Sequence, residues 1–136
     1  MMHKRVALAA VSGMVLAFAV GVAVGQNSPP TENKGVKVSP PTFIDLTNEI
    51  DSVAGRQLRL RVITIEPGGA VPRHSHNGRP AVAYTLQGTL TEHVENGGDH
   101  ERQQGESWTE GRSITHWSEN KGDKPVILIA VDVFKP

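Results

Sequence analysis

From Thr42 onward the chain consists of short apolar runs with a period of two, each cut off by a turn bearing glycine, proline or asparagine. Leu58, Leu60 and Val62 alternate with Arg59 and Arg61, and the run continues through Ile63 and Ile65 to Pro67-Gly68-Gly69. Ala81–Leu86 is a second run, closed by Gly88, and Thr89–Val94 a third, closed by Asn96-Gly97-Gly98-Asp99. A short run around Ser107 and Trp108 follows Gly105, and Val126–Phe134 (VILIAVDVF) is the last and the densest in β-branched residues. Successive side chains of a strand point to opposite faces, so this pattern predicts strands. No stretch of the region carries a convincing 3.6-residue period, and Leu46–Val53 is only a weak candidate for a turn of helix. Many short strands with glycine-rich turns bury their apolar faces as a sandwich or barrel, which makes the fold class all-β.

The N-terminal part has a different character. His3, Lys4 and Arg5 precede an apolar run from Val6 to Gly25, and residues 1–25 read as a secretory signal peptide. Ala23-Val24-Gly25 offers a small-x-small cleavage site before Gln26, and Ala17-Phe18-Ala19 a poorer one. An uncleaved anchor is the rival reading, because such a run just spans a bilayer, although its alanines, glycines and serine make it a weak one. Either way the remainder lies outside the cytoplasm, in the periplasm or secreted. Residues 26–41 (QNSPPTENKGVKVSPP) lack an apolar period and read as a Pro-rich extended linker, leaving 42–136 as a single domain.

The chain contains no cysteine, so the domain has neither a disulfide staple nor a thiolate ligand. Setting aside Lys4 and Arg5 leaves 12 basic residues against 14 acidic ones, with no basic block. That balance gives no electrostatic footprint for nucleic acid or, after cleavage, for stable membrane association. The expected partner is a small molecule.

His74 and His76 stand two apart, ahead of the second strand, and therefore share a face. They open a longer spacing pattern. Gly68 is followed by five residues, His74-Ser75-His76, then Ala81 and, after six more residues, Gly88. Further on, Gly105 is followed at fixed intervals by Gly111, Ser113, His116 and Asn120. The two stretches resemble the paired motifs of the cupin superfamily, in its small single-domain form. The spacing agrees throughout Gly68–Asn120, while three identities differ: Ala81 replaces a glutamate, Gly111 a proline and Ser113 a glycine.

The resemblance implies a jelly-roll β-barrel and carries over His74, His76 and His116 as ligands of one divalent metal ion. Fe, Ni, Cu, Zn and Mn all remain open, since imidazole does not choose among them. It carries over no glutamate, because Ala81 has no donor atom. Three neutral imidazoles would leave the ion its full charge, drawing a small oxygen-rich anion into the space beside Ala81 and Ala83. The implied activities are those of a metal-dependent dioxygenase, isomerase or lyase. The alternatives are a non-catalytic module binding a metal or small ligand, and a metal-free barrel in which the histidines are buried remnants.

Other candidates rank below these. His93 and His100 flank a polar hairpin and are expected to be exposed. Glu92 or Glu95 could supply a replacement carboxylate, though alternation turns at most one of them inward. Arg73 and Arg79 are expected to be solvated or to guide an anion at the mouth. Trp108 and Trp117 are expected in the core or an interface. If Ala81, Ala83 and Thr85 face inward, Val82, Tyr84 and Leu86 form an apolar outer face. A homodimer would cover it. The alternative cover is the segment from Thr42 to Val53 folding back.

Overall fold

Val126–Phe134 takes the extended form its β-branched sequence predicts, and it lies between two long neighbours in a computed structural model that describes residues 28–136. In chain order the strands are β1 Lys34–Val38, β2 Thr42–Asp45, β3 Gln57–Ser75, β4 Ala81–Gln87, β5 Thr89–Val94, β6 Gly98–Gln103, β7 Ser107–Glu110, β8 Thr115–Glu119 and β9 Val126–Phe134. One 3-10 turn, Asp51–Val53, lies between β2 and β3, and the described residues contain no α-helix. The all-β expectation holds. The signal segment and its cleavage site lie outside the described residues.

The sheet path runs β6-β5-β8-β3-β9-β4-β7, with β1 and β2 also on β3, and it curls into a nearly closed barrel. β3 is the hinge of this path. Its first half, Gln57–Ile65, pairs with β9, and its second half, Ala70–Ser75, pairs with β8. Pro67-Gly68-Gly69 was expected to end the strand but instead turns it from one wall of the barrel to the other. Gly68 has φ of 70°, a left-handed conformation costly for other residues. Its amide donates to the Asn120 carbonyl (2.9 Å), and the Asn120 side chain donates to Ile65 and Lys124 carbonyls (2.9 and 2.8 Å).

Three differences from the sequence expectation have simple causes. Lys34–Val38, inside the expected linker, is a strand paired with β3, with Val36 opposite buried Ile65. Its two valines are too few to make a visible period, and β3 supplies the missing hydrogen bonds. Gly98–Gln103 is wholly polar and still forms β6, because it completes the hairpin with β5. The turn at Glu95–Gly97 is correspondingly tighter than expected.

The core is legible as rows across the strands. Ile65 and Val126 are paired and fully buried, and with Ala83, Leu90, Trp108 and Leu128 they form the apolar cluster. Burial on this scale contributes about 25 cal/mol per Å² of apolar surface. Toward the other end of the barrel, the same inward face turns polar, and there the candidate site sits.

Candidate metal centre

The β3–β8 register sets His74 directly opposite His116. Cross-strand partners have Cβ atoms about 4.5–5.5 Å apart, close enough for two imidazoles to share a centre. His76 follows just beyond the end of β3, its amide held by the Ile114 carbonyl (2.9 Å), and two-residue alternation turns it the same way as His74. The structure thus brings together all three histidines named from the sequence. Their Nε2 atoms lie 3.2 Å (His74–His76), 3.1 Å (His76–His116) and 3.0 Å (His74–His116) apart.

Each ring is pinned from behind. His74 Nδ1 donates to the Pro72 carbonyl (2.9 Å) and His76 Nδ1 to the Arg79 carbonyl (3.1 Å). A carbonyl oxygen only accepts, so in both rings the proton is on Nδ1 and Nε2 carries a bare lone pair. His116 Nδ1 donates to Glu92, whose other oxygen receives the Arg102 guanidinium at 2.7 Å. Burial pushes His74 and His76 down to about 4, with neighbouring imidazoles and Arg79 adding to the shift, so both are neutral at pH 7. Burial alone would raise the Glu92 carboxyl, but the bonds from His116 and Arg102 outweigh it and hold it low.

The bare lone pairs of His74 and His76 converge with His116 Nε2 at this range, and such nitrogens repel one another unless a proton or a metal cation lies among them. Imidazole–metal bonds of about 2.0–2.1 Å place two nitrogens about 2.9 Å apart at a right angle and about 3.4 Å at the tetrahedral angle. The observed separations fall between these limits, so the donor set fits a divalent ion.

The carboxylate expected to be missing is present on a different strand. One register row runs Arg59, Asp132, Ala81 and Glu110 across β3, β9, β4 and β7. Glu110 therefore stands beside Ala81, and its Oε2 lies 3.2 Å from His76 Nε2, its Oε1 3.7 Å from His116 Nε2. The Trp108 indole donates to Oε1 (3.1 Å) and fixes the carboxylate. The small Ala81 side chain leaves room for it. Sequence reasoning missed Glu110, yet a signal existed: Trp108 and Glu110 are two apart, so a core Trp108 turns Glu110 inward.

The site opens into a cavity of about 250 Å³ between the barrel walls. His74, His76, His116, Glu110, Arg61 and Arg79 line it together with Val36, Ile63, Val71, Leu128 and Trp108. Arg79 was expected to be solvated or at the mouth; it lines this cavity and reaches buried Asp132 at 3.1 Å. Arg73 instead pairs with Glu95 at the surface, so neither Glu95 nor Arg73 reaches the site. His93 departs from its expected exposure. It stacks on Trp117 (centroids 3.8 Å apart) between Asp99 and Glu119, while His100 is exposed as expected.

Comparison with known proteins agrees with this fold. The family model described as "Cupin domain" matches residues 61–132. No curated protein sequence matches the chain. Among solved structures, a sugar phosphate isomerase from the cupin superfamily of Silicibacter pomeroyi is similar at 21% identity and TM-score 0.53, covering 77% of this chain and 72% of that one. A predicted oxalate decarboxylase of Thermotoga maritima is similar at 20% identity and TM-score 0.51, covering 69% and 91%. A domain of an XRE-family transcriptional regulator from Enterobacter cloacae is similar at 13% identity and TM-score 0.56, covering 76% and 100%. At these identities the likeness shows a shared fold.

Proposed function

Since the chain belongs to the cupin domain family, we propose that it holds one divalent metal ion through His74, His76 and His116, with Glu110 completing the donor set, and acts on a small oxygen-rich anion in the adjoining cavity. The observation that carries this is the convergence of three imidazole Nε2 atoms within 3.2 Å, two of them with lone pairs fixed by carbonyl acceptors behind the rings. Hydrogen bonds behind ligating imidazoles fix the tautomer and raise basicity, and the carboxylate of Glu92 does so most strongly for His116. When bound, the ion supplies Lewis-acid polarisation of a substrate oxygen, the chemistry of a metal-dependent oxygenase, isomerase or lyase. The names of two matched structures, a sugar phosphate isomerase and a predicted oxalate decarboxylase, denote small oxygen-rich substrates and support this class.

A second reading has its own support. Among the described cavity-lining residues, Glu110 is the one carboxylate, and as a ligand it would leave no separate general base. A non-catalytic module that captures a metal with a small anion satisfies the same geometry. Both readings require the ion. Titrating Zn(II) calorimetrically into chelator-stripped protein is expected to show one saturable site per chain, and absence of any saturable site would overturn them together.

A further inference from the structure

The inward rows next to the histidines carry an uneven charge. Asp132, with no side-chain exposure, receives two bonds from Arg59 (2.9 and 2.7 Å), one from Arg61 (3.2 Å) and one from Arg79 (3.1 Å). One carboxylate thus holds three guanidiniums, and two of these, Arg61 and Arg79, line the cavity. Arg61 Nε is buried without a hydrogen-bond partner, the one such side-chain atom found among the described residues. A buried charged donor left unpaired is unfavourable and rare in folded proteins. That atom is closed to solvent, so what Arg61 turns to the cavity is the remainder of its guanidinium, which Asp132 anchors through Nη2.

The remaining wall points to the rest of the ligand. Arg61, Ala130, Ala83 and Trp108 form one row across β3, β9, β4 and β7, and Ile63, Leu128 and Thr85 form the next across the first three. Val36 and Val71 continue the apolar lining. Away from the histidines, Glu110 and the two arginines, Asn33 and Ser118 are the polar lining residues, too few to satisfy a polyhydroxylated sugar or the second carboxylate of a diacid. At about 250 Å³ the cavity is also smaller than the usual range for drug-sized ligands.

We propose that this cavity takes a small monocarboxylate with an apolar body, its carboxylate received by Arg61 and Arg79 and its body lying on the Trp108–Leu128–Ile63 wall. This rests on the cavity being the ligand site of the proposed function, and it gathers the oxygens of that anion into a single head group. Guanidinium groups suit this role because their planar fork matches a carboxylate.

Benzoate, benzyl alcohol, oxalate and glucose 6-phosphate serve as probes, each titrated calorimetrically into metal-free full-length protein. Benzoate is expected to bind most tightly, and Arg61→Gln to weaken it by about tenfold or more. Should Arg61→Gln fail to fold, Arg61→Lys keeps the charge, removes the planar fork and is expected to weaken benzoate in the same direction. No benzoate binding, tighter binding of oxalate or glucose 6-phosphate, equal binding of benzyl alcohol, or an Arg61→Lys affinity equal to wild type would each overturn the assignment. A separate Zn(II) titration of the same metal-free preparations distinguishes the two claims. Metal bound without benzoate affinity sinks this inference alone, whereas benzoate affinity in a protein that takes up no metal sinks the metal centre alone.

Discussion

Glu110 is the residue on which the chemistry of the centre turns. Its carboxylate lies beside His76 and His116, across the β4–β7 pair from Ala81, the position that the motif assigns to glutamate. Glu110 thus sets a carboxylate on the neighbouring strand within the same register row. Glu110→Ala is expected to weaken metal binding by about tenfold or more, as loss of a charged donor does. Ala81→Glu alone would place two carboxylates side by side, which like-charge repulsion disfavours. The double change Ala81→Glu with Glu110→Ala is expected to recover most of the lost affinity, and calorimetric titration of the four proteins reads the coupling. Independent effects of the two substitutions would show that the positions do not exchange one role. His74 and His76 were legible as a pair from strand alternation, and His116 joined them through the resemblance to the cupin motifs, whose intervals it matches. Glu110 was not, because its position depends on which strand lies next to β4, and pairing between distant strands leaves little trace in a local pattern.

At the level of elements, β3 and β9 are joined by the longest ladder and by Asp132 with its three arginines. Burial alone would raise the Asp132 carboxyl, but Arg59, Arg61 and Arg79 outweigh it and hold it below the ordinary range. The unfolded chain therefore takes up this proton first as pH falls. The stabilisation is present above the unfolded value, about 3.9, and is lost as pH drops through the lower folded value. Thermal midpoints of metal-free wild type are expected to fall below about pH 4, and Asp132→Asn is expected to have a lower midpoint at pH 7 with a flatter acid limb. Equal acid limbs would show that Asp132 does not govern this transition. β9 was readable residue for residue, since six of its nine positions are β-branched or aromatic. β1 and β6 were not, because their conformation comes from partners, β3 and β5, and not from their own side chains. The turn of β3 at Gly68 was misjudged as an end for a related reason. Glycine and proline mark a change of direction, and only the pairing shows whether the strand continues.

For the molecule as a whole, the outer face of the barrel is the feature left over. Leu60, Val131 and Val82 form one row across β3, β9 and β4, and Val62, Ile129 and Tyr84 the next. Val82, Tyr84 and Leu86 are 51%, 39% and 47% exposed, with Leu58 and Leu60 similarly open. Thr42–Asp45 does not fold over this face; it extends the sheet alongside β3. We expect a second copy to cover it through a two-fold contact, because such a face can meet itself and stable interfaces bury about 800 Å² per partner. Sedimentation of the domain at micromolar concentration is expected to show a dimer that Tyr84→Glu converts to a folded monomer, and a wild-type monomer throughout that range would refute the contact. For the centre that the barrel encloses, the most direct measurement is elemental analysis of five single-histidine variants after metal loading. His74→Ala, His76→Ala and His116→Ala are each expected to lose most of the metal held by wild type, whereas His93→Ala, stacked on Trp117, and exposed His100→Ala are expected to retain it. Full metal content in any of the first three, or equal loss in His93→Ala, would contradict the three-histidine centre.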